Sequence, residues 1–160
     1  GRAAADFGAD GDMDLAVARF GSKGSGSTVV LLRNNGNGTF AAPISFPAGP
    51  KPSDLAVGDL NGDGRPDLVV GNLDYEVNVL VNNGSGGFAP RVAYANLNAF
   101  FAGNFYPAVA LGDLDRDGDL DVLYGYTPAS DGTTGHGVQL RKTCTGTPHR
   151  AADIPAVEDS

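Results

Sequence analysis

The apolar residues of this chain fall in short runs. They occupy positions 3–5, 15–18, 29–33, 55–58, 68–71, 77–81, 109–112 and 122–125, and Asp, Asn and Gly crowd the stretches between them. Runs of about 4–8 residues bounded by turn formers predict β-strands, whereas a globular helix needs about 10–12 periodic residues. Val77, Val79 and Val81 alternate with more polar neighbours, the pattern of a half-buried strand. Asn35-Gly36 and Asn83-Gly84 close two of the runs. Asn-Gly pairs predict hairpins with type I′ turns, in which both central residues take positive φ. A further run follows Phe40, and another follows Phe88, so each unit reads as four short antiparallel strands.

The pattern repeats. An aspartate loop separates the first and second runs of each unit, at residues 6–14, 59–67 and 113–121, and the first aspartates are 53 and then 54 residues apart. The Asn-Asn-Gly element recurs at 34–40 and 82–88, with only an echo at Thr145, Gly146 and Thr147. Four strands in about 50 residues, repeated, are the pattern of β-propeller blades; a β-sandwich with look-alike turns is the alternative. The predicted fold class is all-β, with three four-stranded antiparallel propeller blades at about 2–50, 51–103 and 104–150 and a loose tail at 151–160. Propellers close with about 4–8 blades, so three make a partial propeller or a fragment of a larger one. The start at the edge of a first strand favours the fragment. The remaining blades, or self-association, would cover the exposed blade flanks.

Charge sharpens this picture. Eleven Lys and Arg against 19 Asp and Glu give a net charge of −8. Such a balance argues against nucleic-acid binding, and no apolar run is long enough for membrane insertion. A single cysteine, Cys144, allows no internal disulfide. Twelve of the 19 acidic residues lie in the three loops. Their spacing, D-x-[D/N]-x-D-G-x-x-D, suits Ca²⁺, a hard cation that takes six to eight oxygens at about 2.3–2.6 Å. Positions 1, 3, 5 and 9 offer side-chain oxygens, position 7 a backbone carbonyl, and glycine at position 6 the sharp turn. The second loop would use Asp59, Asn61, Asp63, the Arg65 carbonyl and Asp67. The third would use Asp113, Asp115, Asp117, the Asp119 carbonyl and Asp121. The first keeps Asp6, Asp10, the Asp12 carbonyl and Asp14, but Gly8 at position 3 makes it the weaker site. An EF-hand needs Glu at position 12, where Val70 and Tyr124 stand here. The plain alternative is Asp/Gly turns without metal, and the mutual repulsion of unpaired carboxylates speaks against it.

These loops, with the small-apolar runs flanking them at 55–58 and 68–71, resemble FG-GAP or VCBS-type repeats. The resemblance spans about residues 2–147 and is most specific in the second and third units. Such repeats build the propeller head of integrin α-chains, and similar blades occur in fungal lectins and large secreted bacterial proteins. The chain departs from the integrin form, with Val70-Gly71-Asn72 where a Gly-Ala-Pro segment would fall, which favours the bacterial or lectin-like branch. The resemblance implies structural calcium between the first two strands of each blade and an extracellular, secreted or cell-surface setting.

No catalytic set emerges. His136 and His149 belong to no zinc-spacing motif, Cys144 has no arguable partner, and no P-loop or dinucleotide fingerprint is present. The chain reads as a non-enzymatic module that recognises a glycan or a protein. Variable connections on the face opposite the calcium loops carry the candidate contacts: Phe100, Phe101, Phe105, Tyr106, Tyr126 and His136. Packing of these aromatics between blades is the other reading. A purely structural segment, or a spacer attached to a hydrolase, is the alternative function.

Overall fold

The computed structural model describes residues 1–20, 27–74, 76–94, 105–114, 116–128 and 137–141, with the backbone alone at 105–106, 126–128 and 137–141. These residues form eleven strands and no helix. The first sheet holds β1 (Arg2–Ala5), β2 (Asp14–Arg19), β3 (Thr28–Leu32) and β4 (Ile44–Pro47) in that order. The second holds β5 (Pro52–Gly58), β6 (Asp67–Asn72), β7 (Val77–Leu80) and β8 (Val92–Tyr94). The third holds β9 (Phe105–Gly112), β10 (Asp121–Pro128) and β11 (Gly137–Arg141). Every pairing is antiparallel and joins strands consecutive in sequence. The small-apolar runs thus do form strands. The expected fourth strand of the third unit lies outside the described residues, as do the 151–160 tail and Cys144.

The sheets stack face to face. Ala16, Val29 and Leu31 of the first pack with Leu55, Leu68, Val70 and Leu80 of the second. On the other side of the second sheet, Val69, Val77 and Val79 meet Val109, Val122 and Tyr124 of the third. The first strands β1, β5 and β9 lie against one another in series.

Two local expectations change. All four β7 residues are buried, so the strand is not half-buried. Its valines face the third sheet and Leu80 the first, because the second sheet is covered on both sides. Asn78, also in β7, is buried with its amide on Asn72 Oδ1 at 2.8 Å, which satisfies a polar group that could not otherwise be enclosed. The Asn-Gly hairpins are not two-residue type I′ turns. Bridges pair Asn34 with Phe40 and Asn82 with Phe88, and positive φ falls on Gly36, Gly38, Gly84 and Gly86 rather than on Asn35 or Asn83. The loop is longer than the dipeptide suggests because Asn34 and Asn82 use their side chains as Asx turns, accepting the Gly36 and Gly84 N–H at 3.0 and 2.9 Å.

Candidate functional site

The three aspartate loops join β1 to β2, β5 to β6 and β9 to β10, and they share one hydrogen-bond plan. The position-1 carboxylate gathers backbone donors. Asp6 accepts from Asp10 N and Gly11 N at 3.1 and 2.8 Å, and Asp59 from Asp63 N and Gly64 N at 3.2 and 2.7 Å. Asp113 accepts from Asp117 N and Gly118 N at 3.1 and 3.0 Å. The position-5 carboxylate then accepts the position-7 N–H: Asp10 from Asp12, Asp63 from Arg65 and Asp117 from Asp119, at 3.1, 2.9 and 3.0 Å. To aim these donors inward the backbone turns left-handed twice. Position 6 is glycine in all three, with φ of 89°, 79° and 95° at Gly11, Gly64 and Gly118. Position 4 is also left-handed, at Ala9, Gly62 and Arg116.

Position 9 ties each loop to its sheet. Asp67 is fully buried at the start of β6. Its Oδ2 accepts the Leu60 N–H at 3.0 Å and its Oδ1 the Asn82 N–H at 2.7 Å, which joins the loop to the Asn-Gly hairpin. Asp121 repeats the first contact through the Leu114 N–H at 3.0 Å. Among the described residues Asp121 Oδ1 is buried without a hydrogen bond, and the residue matching Asn82 by register, 143, lies outside them. Asp14 accepts the Asn34 N–H at 2.8 Å, but Phe7 N, the counterpart of Leu60 N, donates to Ala5 O instead.

Electrostatics follow this geometry. Burial, and then the charges of Asp63 and Asp59, raise the Asp67 carboxyl above its ordinary value. Asp6 is held below the ordinary value, chiefly by the Gly11 N–H. Desolvation pushes Asp63 upward, yet the Arg65 N–H, the Asn61 amide and the Arg65 charge together hold it low. The carboxylates are therefore not unpaired, as the repulsion argument assumed. Arg65 Nη2 stands 2.6 Å from Asp63 Oδ2, and Arg33 Nη2 stands 3.0 Å from Asp10 Oδ2. Among the described residues no three Asp, Glu, His or Cys side chains form a group that could hold a metal ion as they stand.

A model of FG-GAP-like repeats matches residues 6–70 and again 59–124. The chain belongs to the FG-GAP-like repeat family. Each match opens on the first aspartate of a loop and ends in the strand that directly follows the next loop, so a family unit spans two aspartate loops in this FG-GAP-like chain. No solved structure matches it.

The repeat also positions the other candidates. Asp115, Phe100, Phe101 and His136 lie outside the described residues. Phe105 and Tyr106 are in β9 rather than in a connection, where they pair with Pro128 and Thr127, and Tyr126 is in β10 opposite Pro107. All three are at the end of the third sheet away from its aspartate loop. Sequence reasoning missed Asn82, whose amide donates to Phe7 O and Pro66 O at 3.1 and 3.2 Å and so ties the first loop to the second. Its recurrence as Asn34 was the available signal. It also missed Arg33, which follows β3 at the position of Val81 in the next unit.

Proposed function

We propose that this chain is a non-catalytic, calcium-stabilised set of β-propeller blades from an extracellular or surface protein, serving recognition or adhesion. Buried Asp67, held by the Leu60 and Asn82 N–H groups at the end of a loop that also carries Asp59 and Asp63, carries the calcium reading. The second loop offers Asp59, Asn61, Asp63 and Asp67 as hard oxygen donors within nine residues, and the third offers Asp113, Asp117, Asp119 and Asp121 with Asp115 between them. A carboxylate oxygen that accepts one N–H keeps a second lone pair for a cation. The donor chemistry of these two loops fits calcium. A bound ion would supply charge neutralisation and cross-link loop to sheet, while the chain's own N–H groups hold the carboxylates in place.

The contact of β1 with β5 and of β5 with β9 supports the propeller reading, since first strands line the axis of such a ring. The first sheet's outer face supports missing neighbours: Val17, on the face away from Ala16 and Leu31, is exposed there. Recognition then falls to the end opposite the aspartate loops, where Phe105, Tyr106 and Tyr126 cluster along the backbone. A glycan or protein is the partner class, through stacking or anchoring by aromatic rings.

The test is a thermal melt with Ca²⁺ and with excess chelator. A ligand bound only by the folded state stabilises by about 2.7 kcal/mol at a hundredfold excess over Kd. A saturable upshift, lost in an Asp63→Ala, Asp117→Ala variant, supports the reading. Identical cooperative melts would overturn it and leave a purely architectural, metal-free repeat.

A further inference from the structure

We propose that the first aspartate loop carries its own cation, the Arg33 guanidinium, and does not take a metal. This deepens the calcium reading of the second and third loops, and it rests on contacts that the second loop lacks. Arg33 Nη2 lies 3.0 Å from Asp10 Oδ2, and Arg33 Nε lies 3.4 Å from Asp14 Oδ2. One side chain thus serves loop positions 5 and 9 together. Asp14 is fully buried, and among the described residues its Oδ2 accepts no hydrogen bond, so it depends on that positive charge. A buried carboxylate without a cation would be costly.

Gly8 makes room for the guanidinium. A Cβ at Gly8 would stand 1.9 Å from Arg33 Nη2 and 2.6 Å from its Cζ. Asn61, the side chain at the same loop position in the second unit, therefore has no possible counterpart here while Arg33 is in place. The two differences are coupled: the first loop has Gly8 and Arg33 where the second has Asn61 and Val81. Gly8 is thus not merely a lost ligand that water replaces. Arg65 in the second loop is no equivalent, because it reaches Asp63 alone and leaves Asp67 to backbone donors. Arg33 also points Nη1 at the Gly86 carbonyl of the next unit, at 3.5 Å, so the internal cation contacts both repeats.

The inference is tested on the whole chain by following the amide resonances of Gly11, Gly64 and Gly118 during a Ca²⁺ titration. Gly64 and Gly118 should shift and Gly11 should not. A saturable Gly11 shift matching the other two would overturn the inference. Melts in chelator give a second, metal-free readout. Arg33→Met should lower the melting temperature by about 5–10 °C, with Arg33→Lys between it and the wild type, because Lys brings one charge without the fork. An Arg33→Met melt indistinguishable from the wild type would also overturn it, and should that variant fail to fold, the Arg33→Lys melt decides. The Gly8→Asn, Arg33→Val double variant should gain a Gly11 response to Ca²⁺. If none of the three amides shifts in the wild type, the calcium reading of the other loops falls, while the chelator melts still decide the role of Arg33.

Discussion

Phe40 and Phe88 close the same Asn-Asn-Gly element one repeat apart, yet Phe40 is 46% exposed and Phe88 only 6%. Val17 and Val70 occupy equivalent places in β2 and β6, and they are 36% and 0% exposed. The residue types match, so the difference comes from what lies alongside. Phe88 sits edge-on between Phe7 and Phe46 of the preceding unit, with ring centroids 5.4 and 5.1 Å away. Among the described residues no sheet lies on that side of the first one to receive Phe40. A repeat of this kind gains its burial from its neighbours, and the first unit displays here the face that the second unit hides.

The largest expected effect follows directly. Phe88→Ala should cost about 3–5 kcal/mol in urea unfolding, whereas Phe40→Ala should cost less than about 1 kcal/mol. Equal costs would mean that something covers the first unit in solution. The position-9 aspartates give a smaller contrast. Asp67→Asn turns one acceptor into a donor facing a buried N–H and should cost about 1–3 kcal/mol. Its pH dependence has a definite sign. Folded Asp67 has its carboxyl pKa raised above the ordinary 3.8, so it binds a proton more tightly than the unfolded chain does. The resulting contribution is full below the ordinary value and is lost as pH rises through the raised one. In metal-free buffer, the stability of wild type minus Asp67→Asn should fall with rising pH across that window; a flat or rising difference would contradict the assignment.

Position 4 offers the smallest test. Gly62 suits its left-handed backbone, while Ala9 and Arg116 pay a side-chain penalty in the same conformation, with φ of 55° and 64°. Ala9→Gly and Arg116→Gly should each stabilise by about 0.5–1 kcal/mol, and Gly62→Ala should destabilise by about 1 kcal/mol. Chemical denaturation of the three variants would check whether the loops are as alike as their hydrogen bonds suggest.

Strand positions were legible because short runs of Val, Leu and Ala between Asp, Asn and Gly clusters leave little else to form. The aspartate spacing was legible too, but for two reasons at once. The side-chain oxygens that suit a cation also satisfy the inward N–H groups of a tight loop, as Asp59 and Asp63 do. Spacing alone cannot separate these roles. The left-handed turn at Ala9 and Arg116 was illegible, since neither residue type signals positive φ. The burial of Asn78 was hidden because an Asn between valines reads as the solvent side of a strand. Only a sheet stacked on each face makes it interior. Arg33 reads as an ordinary charged strand end until folding brings Gly8 beside it.

The order of the strands has a kinetic meaning. Each sheet pairs β-strands that follow one another along the chain, and the long-range ties between sheets, such as Asn82 to Phe7 and Arg33 to Gly86, join neighbouring units. A unit can therefore complete its own ladder from local closures, which are the fast ones. Its aspartate loop and hairpin are joined by Asp67 and Asn82 before the next unit is needed. Folding is then expected to spread from repeat to repeat, each finished sheet serving as the template on which its successor docks.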